Sequence, residues 1–341
     1  MATNLRAGLL GLGMMGRNHA RVLKALDGVD LVAVADPAGD AHGVAGDLVV
    51  QPSVDALIAQ GIDMCVVAVP TSSHLEAGLA LAEGGVHTLI EKPLATDAAE
   101  SERLTAAFEA AGVVGCVGHI ERYNPALLAL RFRLEQGEVG AIHQVATRRQ
   151  GPFPNRISDV GVMKDLATHD IDLTAWVIQK PYVSVSAHTQ HKSGRVHEDL
   201  IAIVGQMSDG TVASHLVNWL SPMKERVTVV TGERGCFVAD TLNADLTFHE
   251  NGTVPTEWDH VASFRGVTEG NSIRFAFPKP EPLRVEHENF RDAVLGLDAD
   301  IVTMREGLET VRVADACLQS ACERRTIDLA EVRLAEHEVL T

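Results

Sequence analysis

The sequence has no excess of positive charge, no paired cysteine motif, no long apolar run and no internal repeat. Each absence removes a class of function. Twenty-nine Lys and Arg stand against 46 Asp and Glu, a formal net charge of −17, whereas binding to nucleic acid or anionic membrane needs clustered cations. Neither nucleic acid nor a membrane is an expected partner. The five cysteines (Cys65, Cys116, Cys236, Cys317 and Cys322) form no C-x-x-C pair. An odd, scattered set reads as reduced thiols in a cytoplasmic protein. No apolar stretch approaches the roughly 18 residues of a membrane span. The start, MATNLRAGLLGLGMMG, places one Arg before an apolar stretch, but glycines interrupt it and no small-residue cleavage site follows. It reads as a strand entering a turn.

What is present suits a folded chain. At 341 residues, with 46% hydrophobic and 22% charged residues, two domains with buried cores are expected. The first third alternates apolar runs (RAGLLGLG, DLVAVADP, DMCVVAVP, HTLIEKP, VVGCVGH) with segments of helical spacing such as SVDALIAQ and SHLEAGLALAEGG. That alternation predicts an α/β fold with a parallel, doubly wound sheet. After Pro125 a helix (PALLALRFRLEQGEVG) is followed by strand candidates from AIHQVATRRQG to DLTFHENG, broken by SDG, GERG and ENG. These breaks suit hairpins. The pattern predicts one domain over 1–122 and a second over 123–341, with a largely antiparallel sheet and two closing helices near 284–296 and 302–325.

GLGMMG supplies G-x-G-x-x-G as Gly11, Gly13 and Gly16, with Met14 and Met15 between, directly after one strand and before a helix. The first glycine permits the turn, the second lets backbone approach a pyrophosphate, and the third lets helix pack on strand. Asp36 ends the next strand 20 residues after Gly16, where an acid would accept from an adenine ribose diol and repel a 2′-phosphate. No Arg or Lys follows in PAGD, so NAD is expected over NADP. Pro70, Thr71 and His74 of AVPTSSH end another strand and could line the cofactor, although His74 also suits a helix start. Glu91 and Lys92 of IEKP follow a third strand, at the sheet edge where ligands of open parallel sheets collect. Lys92 there could favour deprotonation of a substrate hydroxyl, or be a solvated loop lysine.

The stretch DVGVMKDLATHDIDLTAWVI (159–178) sets charges in an apolar helix. At about 100° per residue, Asp165, His169 and Asp172 share one stripe while Val162, Leu166, Leu173 and Val177 share another. The polar stripe is a solvated face, the wall of a site, or a carboxylate–imidazole set for Zn or Mn.

The order G-x-G-x-x-G, strand-end Asp, A-V-P-T-x-x-H, E-K-P, D-x-x-x-H-D-I-D resembles the Gfo/Idh/MocA oxidoreductases from about residue 5 to 328. The resemblance implies a Rossmann domain joined to a substrate-binding α/β domain whose open sheet builds oligomers, here a homodimer or homotetramer. It also implies a metal-free catalytic trio: Lys92, Asp165 and His169. GHIERYNP and RRQGPFPNRISDVGVMKDLATHDID are similar to UDP-N-acetylglucosamine 3-dehydrogenases within that family, although His119 and Arg122 stand where many members carry Asn-x-Arg. Oxidation of a secondary alcohol removes a hydride, which NAD accepts, and a proton, which a protein base must take. His169 suits the base, Lys92 the alkoxide, Asp165 an orienting role, and Asp170 a substrate contact or structural hydrogen bond. Arg122, Arg149 and Arg156, with Arg148, could meet a UDP-sugar diphosphate, or else pair with the many acids. The expected function is oxidation of a sugar C3 hydroxyl on a UDP-N-acetylhexosamine. A free sugar or polyol such as an inositol is the alternative substrate, and a non-catalytic NAD-binding regulator the alternative role.

Overall fold

A computed structural model describes residues 4–154, 160–252 and 268–332 of the chain. Two compact units emerge, residues 1–120 with 281–315, and residues 121–280 with 316–341.

In the first unit the apolar runs become β1 (Leu5–Leu10), β2 (Val29–Ala35), β3 (Val50–Gln51), β4 (Met64–Val67), β5 (His87–Glu91) and β6 (Gly115–Gly118). They pair in the order β3-β2-β1-β4-β5-β6, every pair parallel. This is the doubly wound order of dinucleotide-binding sheets. The crossovers carry α1 (Met14–Leu23), α2 (Val54–Ile58), α3 (His74–Glu83) and α4 (Ala98–Ala111). Side chains alternate along a strand, so Ala7 and Leu9 enter the core on one face of the sheet while Leu10 enters the other. With both faces covered, β4 is buried at each position, which is why it reads as an unbroken apolar run.

In the second unit α5 (Pro125–Glu135) starts with Asn124 accepting from the Ala126 N–H and proline in its first turn, a strong start signal. A π-helical turn (Met163–Ala167) leads into α6 (Thr168–Ile178). The strands are β7 (Ile142–Pro152), β8 (Tyr182–Gln190), β9 (Leu200–Met207), β10 (Val212–Asn218), β11 (Leu220–Gly232), β12 (Gly235–Asp240), β13 (Asp245–Gly252) and β14 (Thr268–Arg274). With β15 (Ile327–Asp328) they form a nine-stranded sheet, β14-β13-β12-β11-β7-β10-β9-β8-β15. Its pairs are antiparallel except β7 with β10. One face is covered and the other open: Val145, Thr147 and Arg149 of β7 are buried, while Gln144 and Arg148 are exposed.

The closing helices are α7 (Pro282–Val294) and α8 (Met304–Glu323). Residues 281–315 belong to the first unit, where Phe290 shares a core with Leu9, and Met304, Leu308 and Val311 share one with Leu10. The expected boundary after residue 122 contains no such return, because helical spacing shows that a helix has an apolar face but not which sheet it covers. Among the described residues, no helix is long and apolar enough to cross a membrane.

Candidate active site

The turn from β1 into α1 carries the glycine motif. Gly11 has φ +97°, and a Cβ there would lie 2.5 Å from the Ala68 carbonyl oxygen. A Cβ on Gly16 would lie 2.0 Å from the Gly11 carbonyl oxygen, so neither position tolerates a side chain. A Cβ on Gly13 would meet nothing within 4 Å, and Gly13 caps α1 without a side-chain hydrogen bond. The space beside Gly13 is therefore open at the positive end of the α1 dipole, the arrangement that accepts a pyrophosphate. Met14 is exposed beside it and Met15 half-buried. Asp36 is half-buried and accepts from the Leu12 and Ala38 N–H groups, both at 2.8 Å. These two bonds fix its carboxylate at the end of β2, and an ionised carboxylate has lone pairs left for a diol. The residues present fit a dinucleotide.

Pro70 is exposed and Thr71 half-buried after β4. His74 opens α3 fully buried, its ring nitrogens 3.0 Å from the Val69 and Pro93 carbonyl oxygens. Burial lowers its imidazole below the ordinary range. His74, expected along the cofactor, thus braces the loops after β4 and β5, since both nitrogens face backbone. Glu91 ends β5 buried, and half-buried Lys92 follows it.

In the second unit the expected α-helical stripe is altered. Residues 163–167 are π-helical, a widened turn that recurs at functional sites, so Asp165 and His169 are not spaced as one α-turn would set them. Glu198 supports the entry: its backbone carbonyl accepts from the Val162 N–H at 3.0 Å and its carboxylate from the Met163 N–H at 2.9 Å. A Cβ on Gly161 would run into that carboxylate at 2.0 Å. Asp165 and His169 are buried. Among the described residues no group of three His, Cys, Asp or Glu side chains is placed to hold a metal ion.

Five of the charges around this helix are engaged in ion pairs. Arg122 grips Asp172 through two bonds of 2.8 and 2.6 Å. Arg149, 2% exposed, donates to Asp170 at 2.7 Å and Glu121 at 3.0 Å. Burial would lower the Arg149 guanidinium, but Asp170 and Glu121 outweigh it and hold it above its ordinary value. Arg122 and Arg149, expected at a diphosphate, are instead buried in ion pairs, the competing reading of the arginine cluster. Asp170, expected either at substrate or in a structural hydrogen bond, accepts from Arg149. Arg148 alternates to the opposite, open face of β7 beside Glu225. Arg156 lies outside the described residues.

The chain matches two family models: an oxidoreductase family with an NAD-binding Rossmann fold over residues 5–119, and the C-terminal α/β domain of that family over 131–329. The chain belongs to the Gfo/Idh/MocA oxidoreductase family. The NAD cofactor and the α/β fold read from the sequence agree with that membership. A UDP-N-acetylglucosamine 3-dehydrogenase of Acidithiobacillus ferrooxidans is 30% identical over 326 residues, 93% of this chain and 96% of the relative. A solved structure of that enzyme superposes with a TM-score of 0.81 at 27% identity, covering 94% of this chain and 98% of that one. A scyllo-inositol 2-dehydrogenase (NAD(+)) of Bacillus subtilis is 31% identical over 198 residues, 55% of this chain and 58% of the relative. The relatives are sugar and polyol dehydrogenases, and this chain is an NAD-dependent oxidoreductase of their family.

Several buried polar residues were not anticipated from sequence. Glu121 receives both Arg149 and Arg226, the latter at 3.2 Å and less buried. Burial works against its charge, but Arg149 and Arg226 outweigh burial and hold its carboxyl below the ordinary range. His19 is fully buried on α1. It sits three residues after Gly16 and beside Ala20 on the apolar stripe, and an imidazole on such a stripe is the signal that could have found it.

Proposed function

We propose that this chain is an NAD-dependent sugar dehydrogenase that oxidises the C3 hydroxyl of a UDP-N-acetylhexosamine to the 3-keto sugar. The observation that carries this reading is the identity to the UDP-N-acetylglucosamine 3-dehydrogenase across 93% of the chain. That enzyme is 30% identical over that length, against 27% for an inositol 2-dehydrogenase of Saccharopolyspora erythraea that matches 98% of the chain. Hydride acceptance is the chemistry that bound NAD supplies. The first turn of α1 binds the pyrophosphate through backbone N–H groups, and Asp36 accepts from the adenine ribose. Lys92 donates to the reacting hydroxyl and stabilises the developing alkoxide. His169 takes the proton, a role suited to an imidazole at neutral pH, and Asp165 orients it. Arg156 is the remaining candidate, among the arginines predicted from sequence, for the diphosphate.

One observation favours a second reading, a free sugar or polyol as substrate: Arg122 and Arg149 are engaged by Asp172, Asp170 and Glu121. NADH formation across UDP-hexosamines, UDP-hexoses, free sugars and inositols separates the two. The proposal expects turnover to require the UDP group and kcat/KM for NAD to exceed that for NADP. Turnover of free inositols alone would replace it with the second reading.

We also propose a homodimer or homotetramer closed through the open face of the nine-stranded sheet. Val204, Val212 and Leu216 are exposed there on adjacent strands, an apolar patch of the kind that marks an interface. Light scattering of the wild type and of Leu216→Glu tests this, and a monomeric wild type would remove it.

A further inference from the structure

A chain of buried polar groups runs beneath Lys92, within the first unit. Glu91, the residue before it, turns its side chain into the sheet. Its Oε2 accepts from the Lys92 backbone N–H at 3.1 Å, and its Oε1 lies 2.9 Å from His19 Nε2. His19 Nδ1 in turn lies 2.9 Å from His287 Nε2 on α7. Both imidazoles are 0% exposed and Glu91 is 8% exposed.

Such a cluster is expensive unless every contact is used. Burial works against the Glu91 charge, but the His19 hydrogen bond, together with the charges of His19 and Lys92, outweighs it and holds the carboxyl below its ordinary range. An ionised carboxylate only accepts, so His19 Nε2–H is the donor to Glu91. Burial, then the charge of His19, holds His287 well below the ordinary imidazole range, so it meets His19 Nδ1 as a neutral ring.

The neighbouring strand is shaped around this carboxylate. Gly118 of β6 pairs with Glu91, and a Cβ on Gly118 would come within 3.2 Å of Glu91 Cα and 3.3 Å of its Cδ. The strand end that presents Lys92 is thus tied through His19 to α1, the helix whose N-terminus faces the open phosphate position.

We propose that Glu91 and His19 are positioning residues for Lys92, holding the strand end on the dinucleotide-binding helix through one buried carboxylate–imidazole bond. The proposal rests on the catalytic role given to Lys92 above, and Lys92→Ala separates the two failures. If Lys92→Ala keeps its kcat, the catalytic reading fails. If it loses activity while the variants below do not, only the positioning proposal fails.

The test uses two substitutions of one ring. His19→Gln keeps an amide N–H at the place of Nε2, facing Glu91. His19→Asn keeps a polar group only at the place of Nδ1, facing His287. Both remove the ring, so a structural role alone predicts similar losses of melting temperature and kcat in the two. Positioning predicts that His19→Gln retains most of the wild-type kcat. His19→Asn and Glu91→Gln then lose about tenfold, which is about 1.4 kcal/mol, with KM for NAD within about threefold of wild type. Equal kcat in the two His19 variants overturns the proposal. Gly118→Ala, which presses on Glu91 without removing a polar group, gives the same reading if the His19 variants do not fold. It is expected to lower kcat at nearly unchanged NADH binding, and a wild-type kcat overturns the proposal.

Discussion

The two units each bury a polar cluster next to a residue proposed for chemistry, and they do so by different means. In the first, Glu91 stands directly before Lys92 and is held by the buried His19 imidazole, itself in contact with His287. In the second, Asp170 stands directly after His169 and is held by a guanidinium, which Glu121 shares. In both, the acid adjacent in sequence is anchored inward, which fixes the backbone from which the neighbouring side chain departs. The difference lies in the partner, because a guanidinium cannot give up its charge whereas an imidazole can. Breaking a carboxylate–imidazole hydrogen bond costs about 1–3 kcal/mol for the group left unsatisfied. A buried ion pair leaves an uncompensated charge, about 3–5 kcal/mol. The second cluster is therefore the more brittle of the two.

The comparison breaks most readily at Arg149. Arg149→Met strands Asp170 in the interior, leaves Glu121 to Arg226 alone, and is expected to cost about 3–5 kcal/mol in chemical denaturation. A loss below about 1 kcal/mol would show that these charges are not held as the ion-pair account requires. On β10 of the same unit, His215 lies between Thr147 Oγ1 at 2.7 Å and Tyr182 OH at 2.8 Å. Burial pushes its imidazole down to about 3. It is neutral in the fold and protonated in the unfolded chain below pH 6.5. Its contribution is present above pH 6.5 and falls by up to about 1.4 kcal/mol per pH unit as the pH drops towards 3. His215→Gln should flatten this part of the pH–stability curve, and an unchanged slope would contradict the assignment.

The first unit gives a smaller effect of opposite sign. Glu286 on α7 is 2% exposed, its carboxyl oxygens meet no hydrogen-bond partner among the described residues, and burial, then the charge of Glu91, pushes it well above the ordinary range. A raised acid disfavours the fold as pH climbs, because the unfolded chain ionises first, from about pH 4.5. Glu286→Gln should match the wild type in acid and exceed it towards neutral pH by on the order of 1 kcal/mol, roughly 2 °C in melting temperature. A variant less stable than wild type at neutral pH would mean that the charged form is the one the fold uses.

The first unit was legible because its function is written in backbone requirements. Gly11 and Gly16 have no room for a side chain, and a strand covered on both faces must be apolar throughout, so spacing alone located the turn, the sheet and Asp36. The site helix was less legible. Periodicity assumes an α-helix, whereas Glu198, distant in sequence, supports a π-helical turn under Asp165. Charge counts could show that arginines have many acids to choose from, but which acid takes Arg149 depends on β7 and α6 coming together. The strand β14 escaped notice because TEGNSIR lacks the β-branched alternation that marks a strand. The return of 281–315 was hidden for the same reason as the ion pairs: spacing reports a face, and only packing reports its partner.

The central claim is that His169 takes the proton of a sugar hydroxyl while NAD takes the hydride. The direct test is the rate of NADH formation from UDP-N-acetylglucosamine by the wild type and by His169→Ala, with NADH binding measured on both. The account predicts wild-type turnover and a fall in kcat of about 10²–10⁴-fold in the variant, with NADH binding retained. Undiminished turnover by His169→Ala would contradict it.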